Sequence, residues 1–167
     1  MKASDLFVKC LENENVDYMF GIPGEENVDL IDSLNNSGIK FILTRHEQGA
    51  AFMADIYGRI TGRPGVCLST LGPGATNLVT GVANAHLDKI PLVAITAQAN
   101  TERIHKESHQ NIDTIALFSG ITKYNKAVLR ASEHNSGNSK ERVQDRIAGG
   151  SGCFTHTASG RRCFRTG

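Results

Sequence analysis

A chain of 167 residues is about one domain long and large enough to bury a core. Its 18 Lys and Arg balance 17 Asp and Glu, which removes any general electrostatic reason to expect nucleic acid or an anionic membrane as partner. No stretch approaches the roughly 20 apolar residues that span a bilayer, and the cysteines, Cys10, Cys67, Cys153 and Cys163, show no C-x-x-C spacing, so neither a zinc site nor a disulfide framework is expected.

In chain order, Leu6, Phe7, Cys10 and Leu11 predict an amphipathic helix over residues 5–13, with Ser4 available as its N-cap. Lys9, Glu12 and Glu14 leave this segment without the apolar region of a signal peptide, so a cytoplasmic location is expected. Residues 17–20 read as a strand that runs into Gly21-Ile22-Pro23-Gly24, a sharp turn with exposed backbone. A helix over 28–34 ends at Asn35-Asn36-Ser37-Gly38, and 39–43 form the next strand. A long helix from about 48 to 61 stops at Gly62-Arg63-Pro64-Gly65. Strand 66–69 opens into Thr70-Leu71-Gly72-Pro73-Gly74 and a helix over 75–87. Residues 90–96 are nearly all apolar, as in a strand covered on both faces. Strands alternating with helices imply an α/β fold, a doubly wound parallel sheet with helices on both faces.

Beyond Ala97 come a polar loop, a short helix over 112–118 and a strand over 121–126. From 131 to 167 the residues are mainly Ser, Gly, Asn, Thr, Arg and Lys, with Val143, Ile147, Phe154 and Phe164 too scattered to mark a core face. Such a segment buries too little apolar area to offset its ordering entropy, so a poorly structured basic tail follows a domain of residues 1–130. Its periodicity stops abruptly after Arg130, which fits a natural solvated tail or translation out of frame.

Glu47 is the residue on which chemistry turns. It lies where strand 39–43 gives way to a small-residue helix start, which places a carboxylate at the carboxyl edge of the sheet, where open α/β sheets bind ligands. It could control a proton on a bound group there, or only complement a helix dipole. The turns 21–24, 45–48 and 70–77 each follow a parallel strand and can line one crevice, with glycines that allow a flat ligand to approach the backbone. Helix-start amides after Gly74 could instead hold an anion. Neither G-x-x-x-x-G-K-[ST] nor a suitably placed G-x-G-x-x-G occurs, which weakens the phosphate and dinucleotide readings.

Three blocks carry a resemblance: His46-Glu47-Gln48-Gly49-Ala50-Ala51-Phe52-Met53-Ala54, Leu71-Gly72-Pro73-Gly74-Ala75-Thr76-Asn77-Leu78 and Asp88-Lys89-Ile90-Pro91-Leu92-Val93-Ala94-Ile95-Thr96. Together they resemble the N-terminal domain of acetolactate synthases, which binds the aminopyrimidine of thiamine diphosphate, over roughly residues 3–130. The resemblance implies that Glu47 hydrogen-bonds N1′ of the aminopyrimidine. It also implies that Pro23 and Gly24 pack on that ring, that Thr70, Gly72 and Asn77 line the same pocket, and that Gln110, in Ser108-His109-Gln110-Asn111, faces the reacting centre. His46 could support the turn. Ala97, before Gln98, stands where the family commonly has glycine.

The activity so implied is decarboxylation of pyruvate and carboligation to a second 2-oxo acid, a step of branched-chain amino acid biosynthesis. Oxalyl-CoA decarboxylase, glyoxylate carboligase and benzoylformate decarboxylase share the domain plan. In the resembled enzymes a C-terminal domain holds Mg²⁺ and the diphosphate through a Gly-Asp-Gly motif, FAD is a further cofactor of the longer enzyme, and sites form between chains of a homo-oligomer. This chain has no Gly-Asp-Gly motif. The expectation is therefore the pyrimidine half of a site, truncated and inactive alone, with no metal ligands of its own. The other reading is a non-catalytic remnant or interaction module.

Overall fold

The computed structural model describes residues 2–99, 109–128 and 152–157. Helix α1 (Ala3–Asn13) leads to β1 (Tyr18–Gly21), a 3₁₀ turn (Glu25–Asn27), α2 (Val28–Leu34) and β2 (Lys40–Leu43). Helix α3 (Glu47–Thr61), β3 (Gly65–Ser69), α4 (Pro73–Leu87) and β4 (Leu92–Ala97) follow, then α5 (Thr114–Phe118), β5 (Tyr124–Val128) and β6 (Gly152–Thr157). The first four strands are all parallel, and the sheet order is β2-β1-β3-β4-β6-β5.

Helices cover both faces because alternate strand residues point to opposite sides. Val66, Leu68, Val93 and Ile95 join Phe7, Val8, Leu11, Met19 and Leu34 in a core under α1 and α2. Cys67, Leu92 and Ala94 join Ala50, Ala51, Ala54, Leu78 and Val82 in a second core under α3 and α4. Strand order reverses between β1 and β3, the topological switch point beside which such sheets bind ligands at their carboxyl ends.

Several boundaries differ from the sequence expectation. Ser4 is not the N-cap: α1 starts at Ala3, and the Asp5 carboxylate accepts from the Lys2 main-chain N–H at 2.9 Å. Ser4 instead accepts a hydrogen bond from Ser33 of α2 at 2.8 Å. Helix α3 begins one residue early, at Glu47, and α4 two residues early, because Pro73 is pre-organised for the first helical position. The sequence carries no strand signal at 152–157, yet this segment pairs antiparallel with both β4 and β5. Such pairing uses main-chain groups that composition does not report. Ser108, the polar loop at 101–103 and the rest of the 131–167 tail lie outside the described residues.

Candidate functional site

The turns after β1 and β3 and the junction after β2 meet above the switch point. Their packing is recorded by what a side chain would strike at each glycine. A Cβ on Gly24 would collide with Thr70 Cγ2. One on Gly74 would stand 2.8 Å from Thr70 Oγ1 and 3.3 Å from Glu47 Oε1. One on Gly72 would run into the Gln110 carbonyl and lie 2.9 Å from its Cβ. Thr70 thus touches two of the three turns, Glu47 stands over Gly74, and Gln110 packs its main chain on Gly72. Both Gly72 (φ 53°) and Gln110 (φ 60°) are left-handed, which suits glycine and strains glutamine.

Glu47 is the first residue of α3, and His46 before it is extended, with Nδ1 accepting from the Gln48 N–H at 3.1 Å. His46 is therefore the helix cap, the supporting role expected of it. Glu47 is half-buried. Its Oε2 accepts from Asn77 Nδ2 of α4 at 2.9 Å, while no described residue donates to Oε1. Asn77 thus reaches the site through Glu47. Pro23 is exposed on the first turn.

Sequence reasoning missed Asn27, which holds that turn. It is buried, its Oδ1 accepts from the Gly24 N–H at 2.8 Å, and its Nδ2 donates to the Ile22 carbonyl at 3.1 Å. An Asn three residues after a turn glycine, just ahead of a helix, was the available signal. Gln98 is a second residue of this kind. Its Nε2 donates to the Ile112 carbonyl at 2.8 Å, tying the end of β4 to the segment that carries Gln110.

The anion alternative fares worse in this geometry. Pro73 has no N–H, the Gly74 N–H bonds the Leu71 carbonyl at 3.2 Å, and the Thr76 N–H bonds the Gly72 carbonyl at 3.0 Å. Three of the first helical positions therefore have no free amide to offer. Among the described residues, no group of three or more His, Cys, Asp or Glu could hold a metal ion, and no helix is long and apolar enough to cross a membrane.

Residues 1–117 match the family described as thiamine pyrophosphate enzyme, N-terminal TPP binding domain. The chain belongs to this family. As a TPP-binding domain it is similar to probable acetolactate synthase large subunits of Methanocaldococcus jannaschii and Methanococcus aeolicus. The first is 46% identical over 133 residues, 80% of this chain and 22% of that protein. The second is 48% identical over 125 residues, 75% of this chain and 21% of that protein. Acetolactate synthase of Bacillus subtilis is 45% identical over 123 residues, 74% of this chain and 22% of that protein. This TPP-binding domain spans about a fifth of the length of the curated relatives it matches.

Proposed function

We propose that this TPP-binding domain holds the aminopyrimidine half of thiamine diphosphate between the Gly24, Glu47 and Gly72–Gly74 turns, as one part of an acetolactate synthase-like enzyme. One observation carries the reading. Asn77 fixes one oxygen of the Glu47 carboxylate, and the other faces a wall kept free of side chains at Gly74. A flat ring with a protonatable nitrogen fits there, because a carboxylate oxygen with no donor among the described residues gains a partner and the glycine wall lets the ring plane close on the backbone.

Bound thiamine diphosphate supplies the electron sink for cleaving the bond between the carbonyl carbon and the carboxylate of a 2-oxo acid. The residues of this chain bind and orient it. Glu47 Oε1 shares a proton with ring N1′, which sets the proton balance of the ring. Gly24 and Pro23 form one wall, and Thr70 and Gly72 form the other. Gln110, anchored by its main chain on Gly72, lies on the side from which substrate approaches. The diphosphate and its Mg²⁺ belong to a domain outside this chain, and FAD to the longer enzyme. Residues 1–130 form the pyrimidine-binding unit, and the basic segment 131–167 adds strand β6 to its sheet.

A partner domain also has a surface to cover. Phe52, Met53, Ile56 and Ile60 share the outer side of α3, with Ile56 51% and Ile60 79% exposed, and Leu43 is 68% exposed. A patch of this kind suits association with a diphosphate-binding domain of another chain in a homo-oligomer. The substrates of the assembled enzyme would be pyruvate and a second 2-oxo acid. Calorimetry with thiamine diphosphate and Mg²⁺, with and without a separately supplied C-terminal portion of a relative, tests the proposal. Tight binding and acetolactate formation are expected only in the mixture. Absence of binding in both arms overturns the ring site, and steady acetolactate formation by the chain alone overturns the division between domains.

A further inference from the structure

Asp55 has no part in the proposed chemistry, yet it is a carboxylate only 1% exposed, in the middle of α3. It accepts from Arg59 Nε at 3.0 Å and Arg59 Nη2 at 3.2 Å on its own helix, and from Asn84 Nδ2 of α4 at 2.7 Å. Arg59 continues to Asp88, at the end of α4, at 2.6 Å. A buried carboxylate is costly unless every partner is in place, and an apolar pair could fill the same space. The core that α3 and α4 share is apolar, with Ala50, Ala51 and Ala54 of one helix and Ala75, Leu78, Val82 and Ala85 of the other.

The pairing across the two helices has a pattern. Glu47 and Asp55 lie eight residues apart on α3, and Asn77 and Asn84 seven apart on α4, both about two helical turns of roughly 5.4 Å pitch. Each carboxylate accepts from the amide of the facing asparagine. Between the two hydrogen bonds, Gly81 meets Ala51 so closely that a Cβ at 81 would stand 2.5 Å from the Ala51 Cβ. The interface is therefore a tight glycine–alanine contact flanked on either side by a carboxylate–asparagine bond.

The interface extends beyond that contact through Ala50, Ala54, Leu78, Val82 and Ala85, but apolar contacts are non-directional and the small side chains among them present few ridges to interlock, which leaves the helices some freedom to rotate and slide. A directional bond two turns from Glu47 removes that freedom. We infer that Asp55 and Asn84 are positioning residues, which set the register of α3 on α4 about the Gly81–Ala51 contact and so hold Glu47 against Asn77 with Oε1 turned to the ring site. Arg59 keeps the Asp55 carboxylate in the rotamer that faces Asn84. The inference rests on the assignment of Glu47 as the ring-facing carboxylate, but its test needs no ligand.

The experiment is NMR on the chain with side-chain amides of Asn and carboxyl carbons of Glu labelled. Asn84→Ala removes the distant bond while leaving the Asp55–Arg59 pair. The expected result is a shift of the Asn77 side-chain amide signals and of the Glu47 carboxyl signal, with loss of the Asn77 amide's protection from solvent exchange. Val8→Ala, in the opposite core, should lower stability without moving either signal. Asn84→Gln keeps an amide that can donate to Asp55 and leaves the Asp55–Arg59 pair intact, and should displace the Asn77 signals less than Asn84→Ala does. Should Asn84→Ala not fold, Asn84→Ser, which shortens the side chain and removes the amide donor, takes its place. Unmoved Asn77 and Glu47 signals in the folded Asn84→Ala or Asn84→Ser chain, or displacement by Asn84→Gln as large as by Asn84→Ala, overturn the inference. Failure of thiamine diphosphate to bind would instead strike the ring site and leave these shifts unaffected.

Discussion

Gly81→Ala tests the helix contact on which the site geometry depends. The new methyl would stand 2.5 Å from the Ala51 Cβ and 3.1 Å from the Ala51 carbonyl carbon and the Phe52 nitrogen. Carbon pairs rest at about 3.5–4.0 Å, so α3 and α4 must part locally by about 1 Å. The Asn77–Glu47 and Asn84–Asp55 bonds, 2.9 and 2.7 Å, would then lengthen past the roughly 3.2 Å upper range of good N–H···O geometry. Alanine gains about 1 kcal/mol in helix propensity over glycine, against about 1–3 kcal/mol for overpacking and about 1.5–3 kcal/mol for a weakened bond to a buried carboxylate. The net expectation is a loss of about 1.5–5 kcal/mol, read by urea denaturation followed by far-ultraviolet circular dichroism. Gly49→Ala is the paired control. It sits on α3 with nothing within 4 Å of its Cβ position, and should be neutral or stabilising by up to about 1 kcal/mol. If Gly81→Ala proves as stable as the parent chain, the close α3–α4 contact is wrong.

Other perturbations probe the site and the core separately. Glu47→Gln, placed in an assembled enzyme carrying this domain, should lower turnover by about 10²–10⁴-fold, the range for loss of a positioned acid–base group, while leaving thermal stability nearly unchanged; unaltered turnover would contradict the role of Glu47. Asn27→Ala removes both bonds that staple the Ile22–Gly24 turn and leaves a partly buried N–H and carbonyl unmet, for a loss of about 1–2 kcal/mol by denaturation and weaker ligand binding. Complete burial pushes the Cys67 thiol from 9.0 up to about 12, so folded Cys67 should resist alkylation at pH 8 while half-buried Cys10 reacts, as peptide mapping will show. Because the folded chain holds that proton more tightly, the associated stability, about 4 kcal/mol, is fully present below pH 9.0 and lost as pH rises toward about 12. Denaturation midpoints that stay level through that window in wild type and in Cys67→Ala alike would refute it.

The local elements were readable because each helix and strand near the site carries its own period. The alternation of Val66, Cys67 and Leu68 between the two cores, and the αL glycine Gly62 that ends α3, are decided by neighbours in sequence. Glu47 was legible for the same reason, since a strand end and a helix start fix its place at the sheet edge. Its orientation was not, because the Asn77 bond joins residues thirty apart and depends on how α3 lies on α4. The Asp55–Arg59 pair had a signal in its i, i+4 spacing, but only the fold shows that Asn84 meets it and that solvent is excluded. Asn27 and Gln98 act on main-chain groups of turns whose paths are set by strands distant in sequence. Strand β6 depends wholly on pairing with β4 and β5, and its own residues, Gly-Cys-Phe-Thr-His-Thr, show no turn-bounded apolar alternation.

Glu47 Oε1, which has no donor among the described residues, is proposed to meet the pyrimidine ring of thiamine. Titrating free thiamine into the chain, with Glu carboxyl carbons and Asn side-chain amides labelled for NMR, measures this without the diphosphate or any second domain. Half-saturation on the order of 1 mM would correspond to about 4 kcal/mol, a reasonable yield for one charged hydrogen bond and a stacked ring. Saturable shifts are expected at Glu47, Asn77 and the Gly24 and Gly74 amides, and they should vanish in Glu47→Gln. Saturable shifts confined to residues away from these turns, or shifts at the turns that persist in Glu47→Gln, would contradict it.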